Sequence, residues 1–165
     1  MLHIIVAKAH NNVIGKNNAL LWHIDEDLRH FKQMTTNHVI IMGRRTLESL
    51  PGQLPNRTHW VLTRNKNYVP PFEGVRVFYS LLELLEAVKK EREVYCIGGA
   101  EIYKLLLPYA SYLHVTEVNN DYEGDAYFPP IDGHIFEEIE RRPGREQDKA
   151  KVTYDFVTYK RKESI

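Results

Sequence analysis

Val94-Tyr95-Cys96-Ile97-Gly98-Gly99-Ala100-Glu101-Ile102-Tyr103-Lys104-Leu105-Leu106-Leu107-Pro108 reads as a strand, a turn and a helix with nothing between them. Positions 94–97 show no polar alternation, as in a strand covered on both faces. The glycine pair ends that strand, and Pro108 stops a helix over 100–107. A strand that hands over directly to a helix is the unit from which parallel sheets are built.

The same alternation recurs on both sides of this stretch. Residues 2–8 read as a buried strand, and residues 10–22 as a polar, Asn-rich loop around Gly15. Loops of that length are often functional. A helix over 25–35 carries acids in its first turn, where the helix dipole favours them. Residues 38–42 form a second buried strand, and a short helix after Gly43 runs to Leu50, where Pro51-Gly52 stops it. Strands follow at 60–63 and 75–79, separated by the loop at Pro70-Pro71. Ser80-Leu81-Leu82-Glu83 is a capping box that opens a helix to about residue 90, with Leu81, Leu84, Leu85 and Val88 as its apolar stripe. After the opening segment, strands at 112–118, 135–141 and 152–159 close the chain, the last two alternating apolar with polar positions. The sum is an α/β fold in one domain over 1–165. It has an eight-stranded, mostly parallel, twisted sheet with an antiparallel C-terminal edge and about four flanking helices. Ligands in such sheets sit at the carboxyl ends of strands, near a switch in strand order.

Composition narrows the function. The 165 residues hold 22 basic and 22 acidic side chains, with no basic run to attract nucleic acid. The apolar start lacks the basic flank of a signal peptide, and no apolar run reaches membrane-spanning length. Cys96 stands alone in an apolar run, as a small core residue in a reducing compartment does. The eight histidines show no metal-ligand spacing. Asn56-Arg57-Thr58 spells a glycosylation sequon that chance accounts for.

Chemistry concentrates at a few positions. Asp27 shares a helix face with Ile24, Leu28, Phe31 and Met34, whereas Asp25, Glu26 and Arg29 can point to solvent. A carboxylate among apolar neighbours is costly and has a raised pKa; the alternative is an acid that merely serves the helix N-terminus. Met42-Gly43-Arg44-Arg45-Thr46 puts glycine, two arginines and a hydroxyl at a strand-to-helix junction, which suits a phosphate. Gly98-Gly99-Ala100 is a second junction where a cofactor can approach bare backbone, although neither has the G-x-G-x-x-G fingerprint. Thr63-Arg64 adds a third arginine. Each arginine alone reads as a solvated charge; three at adjacent strand ends suggest a nucleotide with an extra phosphate, NADP rather than NAD. Arg57 and Trp22, in isolation, read as a surface charge and a core aromatic.

Across essentially the whole chain the sequence resembles dihydrofolate reductase of the single-domain bacterial type. The resemblance rests on Ile14-Gly15 with Asn18-Ala19-Leu20-Leu21-Trp22, Asp27-Leu28 with Phe31-Lys32, and Ile41-Met42-Gly43-Arg44-Arg45-Thr46. It continues through Leu54-Pro55-Asn56-Arg57, Ile97-Gly98-Gly99-Ala100-Glu101-Ile102-Tyr103, and Glu123-Gly124-Asp125 before Phe128-Pro129. No one segment is specific; their order and spacing are.

The resemblance implies hydride transfer from NADPH to dihydrofolate, in support of one-carbon metabolism. It implies that Asp27 holds the pterin edge, that Thr116 bonds to Asp27, and that Trp22 orders a water there. Ile5, Val6, Ala7, Leu28, Phe31, Leu50, Leu54, Ile97 and Tyr103 would line the pterin and aminobenzoyl pocket. Arg57 would clamp the glutamate α-carboxylate, with Lys32 near the tail. Cofactor contacts would come from Ala7, Ile14, Gly15, Asn18, Ala19 and Leu20, from Gly43, Arg44, Arg45 and Thr46, and from Leu62, Thr63 and Arg64. Gly98, Gly99, Ala100, Glu101, Ile102 and Tyr103 would complete them, with the Gly98–Gly99 peptide cis. The loop containing Leu20 would close over the nicotinamide, braced by Asp125. The resemblance also implies a cytoplasmic monomer without a metal, bound by antifolates and needing neither nucleic acid nor membrane. Leu21 and Asp25 replace frequent prolines and should loosen that loop; Leu47 and Pro51-Gly52 also differ from common choices. Two other readings stand beside this one: a reductase of another pteridine or of a riboflavin precursor, and a non-catalytic nucleotide-binding module.

Overall fold

A computed structural model of the chain describes residues 1–17, 19, 21–145 and 152–163. In chain order the elements begin β1 (Leu2–Ala9), β2 (Val13–Gly15), α1 (Asp25–Thr35), β3 (Val39–Gly43), α2 (Arg44–Ser49), β4 (Thr58–Leu62) and β5 (Arg76–Phe78). They continue α3 (Leu81–Val88), β6 (Val94–Cys96), α4 (Ala100–Leu106), a 3-10 turn (Leu107–Tyr109), β7 (Tyr112–Val118), β8 (Ala126–Tyr127), β9 (Phe136–Pro143) and β10 (Tyr154–Arg161). Eight strands make one sheet in the order β5-β4-β3-β6-β1-β7-β10-β9. The first six in that order pair in parallel, and β10 is antiparallel to both β7 and β9. The mixed sheet and four helices expected from the sequence are therefore present, with boundaries moved by a residue or two.

Long apolar runs became central strands because both faces of the sheet are covered. Leu2, Ile4 and Val6 of β1 pack with Leu84 and Val88 of α3 and with Ile102 and Leu106 of α4. By the two-residue period of a strand, Ile5 and Ala7 point to the opposite face. Cys96 is fully buried and burial pushes its thiol up to about 12, so it serves as a small apolar side chain. The capping box is formed in part: Ser80 Oγ accepts from the Glu83 N–H at 3.2 Å.

Three details correct the sequence reading. The loop at 10–22 contains β2, which pairs antiparallel with β8 in a separate two-stranded sheet. Its partner is remote in sequence, so local pattern could not show the pairing. β9 does not alternate: residues 137–141 are exposed, Ile139 by 50%, because it is a sheet edge and its charges discourage pairing with another chain. Glu26 does not point to solvent. Its carboxylate accepts from Tyr154 Oη and from the Arg145 N–H, both at 2.7 Å, and tethers α1 to the C-terminal hairpin.

The topology places the site. The β1-to-β3 connection crosses β6, and the β6-to-β7 connection crosses β1 in the other direction, so strand order switches between β1 and β6. β6 ends at Cys96 while β1 runs on to Ala9, and the two strands part beyond Ile4. The Ile5 carbonyl in that gap accepts from Tyr103 Oη at 2.8 Å. No helix among the described residues is long and apolar enough to cross a membrane.

Candidate active site

Asp27 is tied to the sheet through β7, next to the part of β1 that runs beyond β6. It lies on the first turn of α1, and Thr116 Oγ1 on β7 donates to its Oδ1 at 2.5 Å. Thr116 is buried, and its register partners are Ala7 on β1 and Phe156 on β10. Burial raises the Asp27 pKa; the Thr116 bond opposes this, and the Glu26 charge adds to it. α1 buries only Ile24 at its start and Thr35 at its end. Leu28 is 46% exposed and Phe31 half-buried, which leaves both available to a ligand, as the sequence reading of a pocket wall expects. A large leucine exposed beside a buried carboxyl is the signature of a ligand pocket rather than of a core.

Trp22 packs edge-on against Tyr122, with ring centroids 5.3 Å apart. Its Nε1 is buried and has no hydrogen-bond partner among the described residues. Leu50, Leu54 and Ile97 are partly buried around the cluster of Ile40, Met42, Leu47, Val61 and Tyr95. The side chain of Val6 belongs to the opposite core, so only its backbone is available to the cleft.

At the far end of α1, Arg57 is held before any ligand arrives. Its Nε donates to Pro55 O at 3.0 Å and its Nη1 to Thr35 Oγ1 at 3.3 Å, while Thr35 donates to Phe31 O. No acidic side chain pairs with it among the described residues, and burial lowers its pKa. A half-buried guanidinium without a counter-ion is costly, and a carboxylate is its natural partner. The loop bearing it is stapled by His59: Nε2 accepts from the Leu54 N–H at 3.1 Å, which leaves Nδ1–H to donate to Arg57 O at 3.2 Å. Sequence reasoning missed His59, since only its place on β4 beneath the loop reveals the role. Lys32 is exposed on the same helix as Phe31.

On the other side of the gap, two strand-to-helix junctions meet. The Gly43 N–H donates to Gly98 O at 2.9 Å. The Gly98–Gly99 peptide is cis. Gly98 has φ +113°, and a Cβ there would stand 3.0 Å from the Tyr103 ring, so only glycine fits. A Cβ on Gly43 would stand 3.0 Å from Ile102. Both glycines are therefore required by the close packing of α4 against the two junctions. Thr46 is half-buried beside Gly99, with Ala100 half-buried and Glu101 exposed on the following helix. Thr63 and Arg64 follow β4, whose last residue, Leu62, turns into the core. Arg45 and Arg64 are exposed with no ion-pair partner among the described residues.

The loop above the gap is tied from the neighbouring segment. Asp125 accepts from the Asn17 N–H at 3.0 and 3.2 Å, and its own N–H donates to Gly15 O at 3.0 Å. Gly124 permits this approach, since a Cβ there would fall 2.5 Å from Gly15 O. Ile14 and Gly15 are buried and Ala19 is exposed; Asn18 and Leu20 lie outside the described residues.

Two cavities of about 380 and 290 Å³ flank the opposite side of α1 and share His30 and Arg142; neither includes Asp27 or Arg57. A family model described as dihydrofolate reductase matches residues 1–161. The chain belongs to the dihydrofolate reductase family. The dihydrofolate reductase of Bacillus subtilis is 38% identical over 164 residues, covering 99% of this chain and 96% of its own. That of Neisseria gonorrhoeae is 42% identical over 157 residues, covering 94% and 95%. The solved dihydrofolate reductase from Enterococcus faecalis, complexed with NADP(H) and RAB-propyl, superposes with a TM-score of 0.91 at 36% identity over 99% of this chain and 97% of its own.

Proposed function

We propose that this chain reduces 7,8-dihydrofolate to 5,6,7,8-tetrahydrofolate around Asp27, and that the Asp27–Thr116 pair, together with an Arg57 that has no acidic partner among the described residues, is the observation that best supports the assignment of roles. The family and the named relatives support the reaction itself. When bound, NADPH supplies the hydride. The residues present fit that cofactor: the two junctions adjoin through the Gly43 N–H and Gly98 O, and Arg44, Arg45 and Arg64 follow the neighbouring strands β3 and β4, where their charge suits a phosphate.

Asp27 holds the pterin edge and, when ionised, favours a proton at pterin N5 by its charge; water delivers that proton. Thr116 fixes the carboxyl, and the buried Trp22 N–H orients a water beside it. Leu28, Phe31, Leu50, Leu54 and Ile97 hold the flat rings and exclude solvent. Arg57 takes the tail carboxylate, with Lys32 nearby. Following NADPH consumption with dihydrofolate, and with a pterin that lacks the glutamate tail, tests this reading; no turnover with dihydrofolate would overturn it. Inhibition by antifolates, a monomeric state and a cytoplasmic location belong to the same proposal.

Two further outcomes are expected. Arg64→Ala raises the NADPH KM by about tenfold or more, as loss of a charged hydrogen bond does, and barely alters NADH. Equal losses for both cofactors would take the phosphate away from Arg64. Asp125→Ala slows single-turnover reduction, because the Asn17 N–H loses its acceptor, while circular dichroism and Tm stay near the parent's. An unchanged single-turnover rate would remove Asp125 as the brace.

A further inference from the structure

Arg44 differs from Arg45 and Arg64 in being held. Its Nε donates to Glu48 Oε2 at 3.2 Å and Oε1 at 3.4 Å, one helical turn on. Its terminal nitrogens meet no acceptor among the described residues. Its Cζ stands 5.5 Å from the centroid of the Tyr68 ring. Tyr68 comes from the turn after β4, which side chains organise: the Asn65 N–H donates to Thr63 Oγ1 at 3.2 Å, the Asn67 N–H to Asn65 Oδ1 at 3.0 Å, and the Tyr68 N–H to Asn65 O at 3.1 Å. The ring rests on the cluster that includes Met42 and Leu47, and its buried hydroxyl has no hydrogen-bond partner among the described residues.

We infer that Tyr68 is a positioning residue for the cofactor's extra phosphate, its ring face supporting the Arg44 guanidinium while Glu48 sets its rotation through Nε. The two terminal nitrogens are then presented together as a fork, the geometry that suits phosphate. An arginine already held loses less side-chain freedom on binding than a free one. The ring acts through its π face, and the buried hydroxyl takes no part. This rests on the reading of Arg44 as a phosphate ligand.

Calorimetric titration of the free protein with adenosine 2′,5′-bisphosphate and with adenosine 5′-monophosphate tests the inference. Tyr68→Leu and Tyr68→Met weaken the bisphosphate by about threefold to tenfold, the size of a cation–π contact, and leave the monophosphate within about twofold. Tyr68→Phe binds both as the parent does and keeps the NADPH-to-NADH ratio of kcat/KM. Weakening of both nucleotides to the same degree by the leucine and methionine variants means that the ring only packs the turn, and overturns the inference. A phenylalanine variant that behaves like leucine overturns it too, by assigning the role to the hydroxyl. Arg44→Ala separates the two levels. If it spares the bisphosphate, the phosphate reading of Arg44 fails and the inference with it. If it weakens the bisphosphate while leucine and methionine at Tyr68 do not, the positioning role alone is lost.

Discussion

Replacing Asp27 with asparagine lowers turnover at neutral pH by about 10²- to 10⁴-fold, the range that a positioned acid–base group commonly supplies, and leaves the protein at least as stable as its parent. The amide keeps an oxygen to accept from Thr116, so the hydrogen bond at 2.5 Å is retained and only the charge is removed. Burial raises the folded pKa of Asp27 above its ordinary value of 3.8. Between those two values the folded state binds more protons than the unfolded state. The contribution of Asp27 to stability therefore falls as pH rises through that window, and the deficit persists above it. Asparagine has no such dependence, so the gain from the substitution grows from mildly acidic to neutral pH. Residual turnover moves the other way and improves in acid, where the pterin gains its N5 proton without help. Urea unfolding and turnover across the same pH range decide both halves. Near-normal turnover of the variant at neutral pH would sink the mechanistic role. Lost turnover with the parent's stability at every pH would sink the burial argument alone.

Arg57→Ala weakens dihydrofolate binding by about 2 kcal/mol or more, roughly thirtyfold in Kd, as removal of one partner from a shielded ion pair does. The effect is large because the structure has already set the guanidinium in place through Pro55 O and Thr35 Oγ1, with no carboxylate among the described residues to pair with it. His59 still staples the loop through Leu54 and the backbone at 57, so the fold survives the change. A pterin without the glutamate tail is indifferent to the substitution. Titration of both ligands against both proteins gives the answer: an equal loss for the tailless pterin would remove Arg57 from the tail site and make it a residue of the loop's structure.

What the sequence by itself determined was local. The unbroken apolar runs of β1, β3 and β6 required covering on both faces, which makes a parallel sheet flanked by helices. Ser80 and Glu83 marked the start of α3, and Gly98-Gly99 marked a bare turn before α4. These readings succeed because propensity, capping and side-chain period act between residues a few positions apart. The order and spacing of the Gly43–Thr46, Leu54–Arg57 and Ile97–Tyr103 segments also pointed to the family. The sequence could not order the strands: β6 lies between β3 and β1, although β4, β5 and α3 intervene in the chain.

Tertiary structure alone supplied the distances and surroundings of the groups around Asp27. Asp27 and Thr116 are 89 positions apart, and nothing local to either names the other. Glu26 looked like its solvated neighbours until Tyr154 and the backbone at Arg145 reached it. Leu28 shares a helix face with Ile24 and Met34, yet Ile24 is buried and Met34 packs on the Ile40 cluster while Leu28 is exposed, a difference that spacing alone does not show. β2 needed β8, Arg57 needed Thr35, and the Arg44 guanidinium acquired its support only when the turn after β4 brought Tyr68 beneath it. In each case the partner arrives through the fold: desolvation and hydrogen bonding depend on what surrounds a group in space, while the chain specifies only what is next to it in line.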